Sequence, residues 1–157
     1  MEFRIGSGYD VHRLVEGRPL ILCGSPCLGQ GSGRPFRCGC GAPCPDGCLA
    51  GGGRHGDIGR LFPDTDDAYL GADSRNLLAA VLEKLRAAGW QVNNVDVTII
   101  AQRPKLAPYE PAMLENLLTD LGLPRDAVNV KATTTEKLGF TGRGEGIAAE
   151  AVASLTR

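Results

Sequence analysis

A chain of 157 residues with a formal net charge of −1 is long enough to bury one core without disulfide or metal staples, and it offers no basic stripe for nucleic acid. No apolar run reaches membrane-spanning length. Met1-Glu2-Phe3-Arg4-Ile5 has neither a signal peptide's apolar region nor a transit peptide's Arg and Ser richness, so a soluble, cytoplasmic, single-domain protein with no membrane partner is expected.

Phe3 and Ile5 alternate with Arg4 and Gly6, the period of a strand that delivers Asp10 and His12 at its end. Residues 20–23 form a short apolar run that reads as a second strand. Asp73 or Ser74 stands where a helix cap belongs, Leu77, Leu78, Val81, Leu82 and Leu85 make one apolar stripe, and Gly89 ends it. Val95, Val97 and Ile99 alternate as a strand. Residues 108–121 read as a second helix with Met113, Leu114, Leu117, Leu118 and Leu121 inward and Gly122 and Pro124 at its exit. Val128, Val130 and Ala132 alternate again, leading into Thr133-Thr134-Thr135. Residues 146–155 are ambiguous: their Ala and Glu content favours helix, whereas Ile147, Ala149, Ala151, Ala153 and Leu155 alternate. The order of elements implies an α/β fold of the α+β type, a single sheet with helices packed on one face.

Asp10 and His12, two apart at a strand end, leave the backbone on one side and could grip a cation, although such a pair alone is more often two ordinary polar residues. Phe62-Pro63-Asp64-Thr65-Asp66 reads locally as a Pro-Asp turn. Ala101-Gln102-Arg103-Pro104-Lys105-Leu106 could be a strand exit with a solvated lysine. The three threonines suit either an edge strand or, with free N–H groups leading into Glu136, a bound phosphate chain.

Taken together, Gly8-Tyr9-Asp10-Val11-His12, Asp57-Ile58-Gly59, Phe62-Pro63-Asp64-Thr65-Asp66 and the run Thr133-Thr134-Thr135-Glu136-Lys137-Leu138-Gly139-Phe140-Thr141-Gly142-Arg143-Gly144-Glu145-Gly146 resemble the 2-C-methyl-D-erythritol 2,4-cyclodiphosphate synthase family. The resemblance makes residues 146–155 a strand. It implies a lyase of non-mevalonate isoprenoid biosynthesis that cyclises 4-diphosphocytidyl-2-C-methyl-D-erythritol 2-phosphate with release of CMP. By the same resemblance, Asp10 and His12 are zinc ligands, and Glu136 holds Mg²⁺ or Mn²⁺. Asp57, Ile58, Gly59, Phe62, Pro63, Asp64, Thr65 and Asp66 lie near the substrate's sugars, and the stretch with Ala101 and Leu106 helps enclose the cytosine through backbone groups, with Lys105 close to the phosphates. Thr133, Thr134 and Thr135 meet the phosphates, with Thr134 the catalytic residue, while Phe140 and Arg143 line a central cavity of a homotrimer whose active sites lie between subunits.

The resemblance stops between residues 25 and 55. Here the family carries a His-Ser-Asp-x-Asp-Val stretch and a second His that completes the zinc site, whereas this chain reads Pro35-Phe36-Arg37-Cys38-Gly39-Cys40-Gly41. Pro35 is encoded CCN and Phe36 TTY, so a reading one base later permits His. The following junctions permit Ser, Asp, Ala, Asp and Val in turn, and the junction of Pro43 with Cys44 permits His again. Residues 25–55 therefore read as an out-of-frame segment bounded by compensating frame changes. Such text has no helical stripe, and poor packing is expected of it. As written the chain lacks the third zinc ligand, so little CMP release is expected of it. Two alternatives stay open: a noncatalytic homologue binding CDP or isoprenoid diphosphates, and a metal-binding module built on Cys27, Cys38, Cys40, Cys44 and Cys48.

Overall fold

In the computed structural model, the residues described are 1–15, 20–27, 49, 53 and 74–157. Strands β1 (Phe3–Arg13), β4 (Gln91–Ile100), β5 (Val128–Thr133) and β6 (Gly146–Thr156) form a four-stranded sheet in the order β1-β6-β4-β5. Strands β2 (Ile21–Leu22) and β3 (Ser25–Pro26) form a separate antiparallel pair. The helices are α1 (Ser74–Ala87), α2 (Glu110–Leu121) and the short α3 (Gly139–Gly142), with a 3-10 turn at Arg125–Ala127.

One face of the sheet is apolar because the period of two holds across its strands. Val95, Val97 and Ile99 of β4 stand opposite Ala153, Ala151 and Ala149 of β6, and Val128 and Val130 extend the layer on β5. Leu78, Val81, Leu82 and Leu85 of α1 and Met113, Leu117 and Leu121 of α2 complete the same core. The alternation in residues 146–155 outweighs their helix-favouring Ala content, since β6 is hydrogen-bonded by β1 on one side and β4 on the other. The opposite face of the sheet carries exposed apolar side chains. Phe3, Ile5, Tyr9 and Val11 of β1 and Val152 of β6 are exposed, Ile5 to 65%.

The single sheet of the sequence reading needs correction. Cys23 (φ 45°) and Gly24 (φ 69°) both take left-handed angles, the two-residue turn that folds Ile21–Leu22 back onto Ser25–Pro26 and creates the small second sheet. The hairpin is tied to α2 by Asn116, whose side-chain amide donates to Cys23 O at 2.9 Å. The second helix begins at Glu110 rather than at residue 108. The N–H groups of Tyr109 and Glu110 first close a turn on Leu106 O, at 2.8 and 3.3 Å, and Pro111 then occupies the first turn, where no helical partner is lost.

Most of residues 25–55 lies outside the described residues. Within that interval, Cys27 (2% exposed) and Leu49 (0%) are buried in the core, against the expectation of poor packing at those two positions. Burial holds the thiols protonated, pushing Cys23 up to about 12 and Cys27 up to about 11. These two cysteines therefore behave as small core hydrophobes.

Candidate active site

The sheet's topology decides which residues can meet. Strand β1 is antiparallel to β6, β6 is antiparallel to β4, and β4 is parallel to β5. Strands β1, β4 and β5 consequently run the same way, and their C-terminal ends share one edge of the sheet. That edge carries Asp10 and His12, the 101–106 stretch, and the threonine run with Glu136.

Asp10 and His12 pair with Ala149 and Ile147 of β6 and therefore stand on the helix side of the sheet. His12 Nε2 lies 2.6 Å from Asp10 Oδ2, while Asp10 Oδ1 accepts a hydrogen bond from Val11 N at 2.8 Å. A carboxylate oxygen and an imidazole nitrogen converging from one strand face fit two of the three protein ligands of a catalytic zinc site. Among the described residues no group of three or more His, Cys, Asp or Glu side chains is placed to hold a metal ion. The candidate sugar-loop residues Asp57, Ile58, Gly59, Phe62, Pro63, Asp64, Thr65 and Asp66 lie outside the described residues, as does His55.

After β4, Ala101 and Leu106 are buried in the core, Lys105 is exposed, and the Arg103–Pro104 peptide bond is cis. Ala101 N donates to Thr133 O at 3.0 Å, which joins this stretch to the threonine run. With their side chains turned inward, Ala101 and Leu106 can reach a ligand only through backbone groups. Leu106 O is already engaged by the N–H groups that open α2.

The threonine run ends in a tight turn. Leu138 N donates to Thr135 O at 2.8 Å across Glu136 (φ 52°) and Lys137 (φ 66°), both in the left-handed region. Side chains other than Gly, Asn and Asp rarely take that conformation, which costs of order 1–3 kcal/mol per residue and concentrates at functional sites. Thr133, Thr134 and the Glu136 carboxylate are exposed at the sheet edge, and Thr134 Oγ1 accepts a long contact from Glu136 N at 3.4 Å. Lys137 N donates to Gln102 Oε1 at 3.2 Å. A cavity of about 420 Å³ opens between the two loops, lined by Gln102, Arg103, Lys137, Gly142, Arg143 and Gly144.

Phe140 is half-buried on α3, and Arg143 is exposed just beyond it. The Arg143 guanidinium donates to both carboxylate oxygens of Glu145, at 2.7 and 3.2 Å. This hydrogen bond, ahead of the Coulomb attraction, holds Glu145 below its ordinary carboxylate range and raises Arg143. Gln102, Thr141, Gly142 and Gly146 were missed as site residues. All four stand inside the quoted motifs, but nothing in their spacing reveals that they support other side chains.

The YgbB family pattern matches residues 46–156. The 2-C-methyl-D-erythritol 2,4-cyclodiphosphate synthase of Burkholderia cenocepacia is 52% identical over an alignment covering 100% of this chain and 98% of that protein. The chain belongs to the YgbB family. Within that family, the bifunctional IspDF of Campylobacter jejuni superposes with a TM-score of 0.86 at 37% identity, covering 98% of this chain and 42% of the larger one. A 2C-methyl-D-erythritol-2,4-cyclodiphosphate synthase solved in a CDP-bound form matches with a TM-score of 0.83 at 31% identity, over 98% of this chain and 100% of that one. The YgbB fold is thus a mixed α/β layer in this chain as in those relatives. Among its described residues no helix is long and apolar enough to cross a membrane.

Proposed function

We propose that this chain is a 2-C-methyl-D-erythritol 2,4-cyclodiphosphate synthase, acting on 4-diphosphocytidyl-2-C-methyl-D-erythritol 2-phosphate in the cytoplasm. The single observation that carries the reading is the gathering of three family motifs, at the ends of β1, β4 and β5, on one sheet edge. Residues 1–157 then act as one synthase domain, with residues 25–55 as its out-of-frame segment. The full-length likeness to named synthases supports it.

In the reaction, an oxygen of the substrate's 2-phosphate forms a bond to the β-phosphorus, and the bond from that phosphorus to the bridging oxygen breaks. The electron pair leaves with CMP, and the diphosphate closes into a ring. No general base is required, because the attacking phosphate is already anionic. Two anions must approach, so orientation and charge neutralisation are the main demands.

Asp10 and His12 would hold Zn²⁺ and Glu136 would hold Mg²⁺ or Mn²⁺, and the two cations supply charge neutralisation and phosphate polarisation when bound. Thr134 donates its hydroxyl to the phosphate oxygens as charge develops, flanked by Thr133 and Thr135. Backbone groups at Ala101 and Leu106 frame the cytosine, with Lys105 toward the phosphates. Asp57, Ile58, Gly59, Phe62, Pro63, Asp64, Thr65 and Asp66 orient the sugar portion.

A homotrimer with shared active sites is part of this reading, and the width of the sheet supports it. Strands β6 and β4 separate β1 from β5, which at about 4.8 Å per strand sets the zinc pair roughly 14 Å from the threonine run of the same subunit. A diphosphate is shorter than that span, so in this reading a neighbour's threonine run faces each Asp10 and His12. The uncovered apolar face of β1 and β6 supports such packing, with Phe140 and Arg143 toward the central cavity. The test is CMP release with Zn²⁺ and Mg²⁺. A protein whose frame is restored across residues 35–44 should turn over, and the chain as written should release little; robust turnover by the unrestored chain would remove the missing-ligand explanation.

A further inference from the structure

We infer that Thr141 and Gly142 are positioning residues that hold Glu136 in its left-handed turn and so aim its carboxylate at the cation; this rests on the synthase reading above. Neither residue faces the substrate in that reading. Both lie on α3, directly beneath the turn.

The hydrogen bonds assign Thr141 a direction. Thr135 Oγ1 lies 2.6 Å from Leu138 O and 2.9 Å from Thr141 Oγ1. A threonine hydroxyl has one hydrogen, and the Leu138 carbonyl can only accept, so Thr135 donates to Leu138 O and must accept from Thr141. Thr141 is buried at 4% exposure, which makes it the interior anchor of the turn. Leu138 O also accepts from Gly142 N at 3.1 Å, and Leu138 N returns to Thr135 O. The two residues flanking the Glu136 turn, Thr135 and Leu138, are thus both fastened to the last two residues of α3.

Gly142 acts by absence. A Cβ built there would lie 2.6 Å from Lys137 Cα and 2.8 Å from Lys137 O, distances real side chains essentially never show. Those atoms belong to backbone, so relief requires moving the turn itself. The displaced unit is the one that carries Glu136 and is pinned to Gln102 through Lys137 N. Two independent features, a buried hydroxyl and a missing side chain, therefore stabilise one unfavourable backbone conformation. That conformation leaves exposed the carboxylate proposed to bind the cation.

The experiment uses the full chain and measures Mn²⁺ uptake in the presence of CDP by electron paramagnetic resonance, with thermal melting as a fold control. Thr141→Val and Gly142→Ala should each weaken Mn²⁺ binding by about tenfold or more, the usual effect of losing a ligand's supporting partner, and Glu136→Gln, which removes the ligand itself, should weaken it at least as much. Thr141→Ser, which keeps the donor, should bind as the unsubstituted chain does. Unchanged Mn²⁺ affinity in folded Thr141→Val and Gly142→Ala proteins, beside a weakened Glu136→Gln, would overturn the inference and leave the synthase reading standing. Equal weakening by Thr141→Ser and Thr141→Val would also overturn it, because the hydroxyl would then not matter. If Glu136→Gln binds normally, or the unsubstituted chain takes up no Mn²⁺ with CDP, the cation assignment fails and the inference falls with it. Should Gly142→Ala not fold, the Thr141 pair decides alone.

Discussion

Asp10 and His12 illustrate how much a strand end does for two side chains. The period of two puts both on the helix side, and the Val11 N–H fixes one oxygen of Asp10 while the other faces the imidazole. Zinc affinity depends on the number of ligands as well as on their preorganisation. In a frame-restored protein, His12→Ala should therefore abolish zinc retention, read as metal per chain by elemental analysis after gel filtration. Glu136→Gln should retain zinc, because the proposed Mg²⁺ or Mn²⁺ site is separate. Loss of zinc from both variants would argue against two distinct cation sites.

Among the elements, the junction of α3 with β6 is tightly packed. Gly146 pairs with Arg13, and a Cβ on it would sit 2.8 Å from His12 O and 3.2 Å from Phe140 Cδ2. The ring could turn aside, but the carbonyl belongs to β1 and is held by the ladder. Gly146→Ala must push the start of β6 away from the end of β1, where His12 lies. Overpacking of this kind costs typically about 1–3 kcal/mol. Urea unfolding of Gly146→Ala should show a loss in that range, and the same substitution in a frame-restored protein should lower its zinc content. An alanine variant with unchanged stability and zinc content would mean that the two strands separate freely at this edge.

At the scale of the whole molecule, the sheet has one face in the core and one face on which Phe3, Ile5, Tyr9, Val11 and Val152 are exposed. Exposed apolar patches larger than a few hundred Å² mark interaction surfaces in proteins generally. In the proposed homotrimer a second and third copy would occupy this face and bring a threonine run to each proposed zinc pair. Ile5→Asp would bury a carboxylate in that contact, and light scattering should report monomers, whereas Thr119→Asp on the exposed side of α2 should leave a trimer. A trimer that persists in Ile5→Asp, or a monomeric unsubstituted chain, would remove the shared-site arrangement.

The strands and helices were largely legible, because Val95, Val97, Ile99, Val128 and Val130 alternate and the stripes of α1 and α2 repeat at helical spacing. The site motifs were legible as chemistry, since Asp10 with His12 and the threonines with Glu136 are donor types suited to cations and phosphates. Residues 146–155 were not settled by their own composition; pairing with strands on both sides made them β6. The Cys23 and Gly24 hairpin and the left-handed angles of Glu136 and Lys137 were likewise hidden, as no local propensity favours a glutamate or a lysine there. The sequence by itself determined which residue types suit cations and phosphates and which faces are apolar, because both are properties of residue type and period. Only the tertiary structure decided that the motif-bearing strands end on one edge, that β1 and β5 stand at opposite sides of the sheet, and that a hydroxyl and a bare α-carbon hold Glu136 in place. Those features depend on strand order and on contacts between residues distant in the chain.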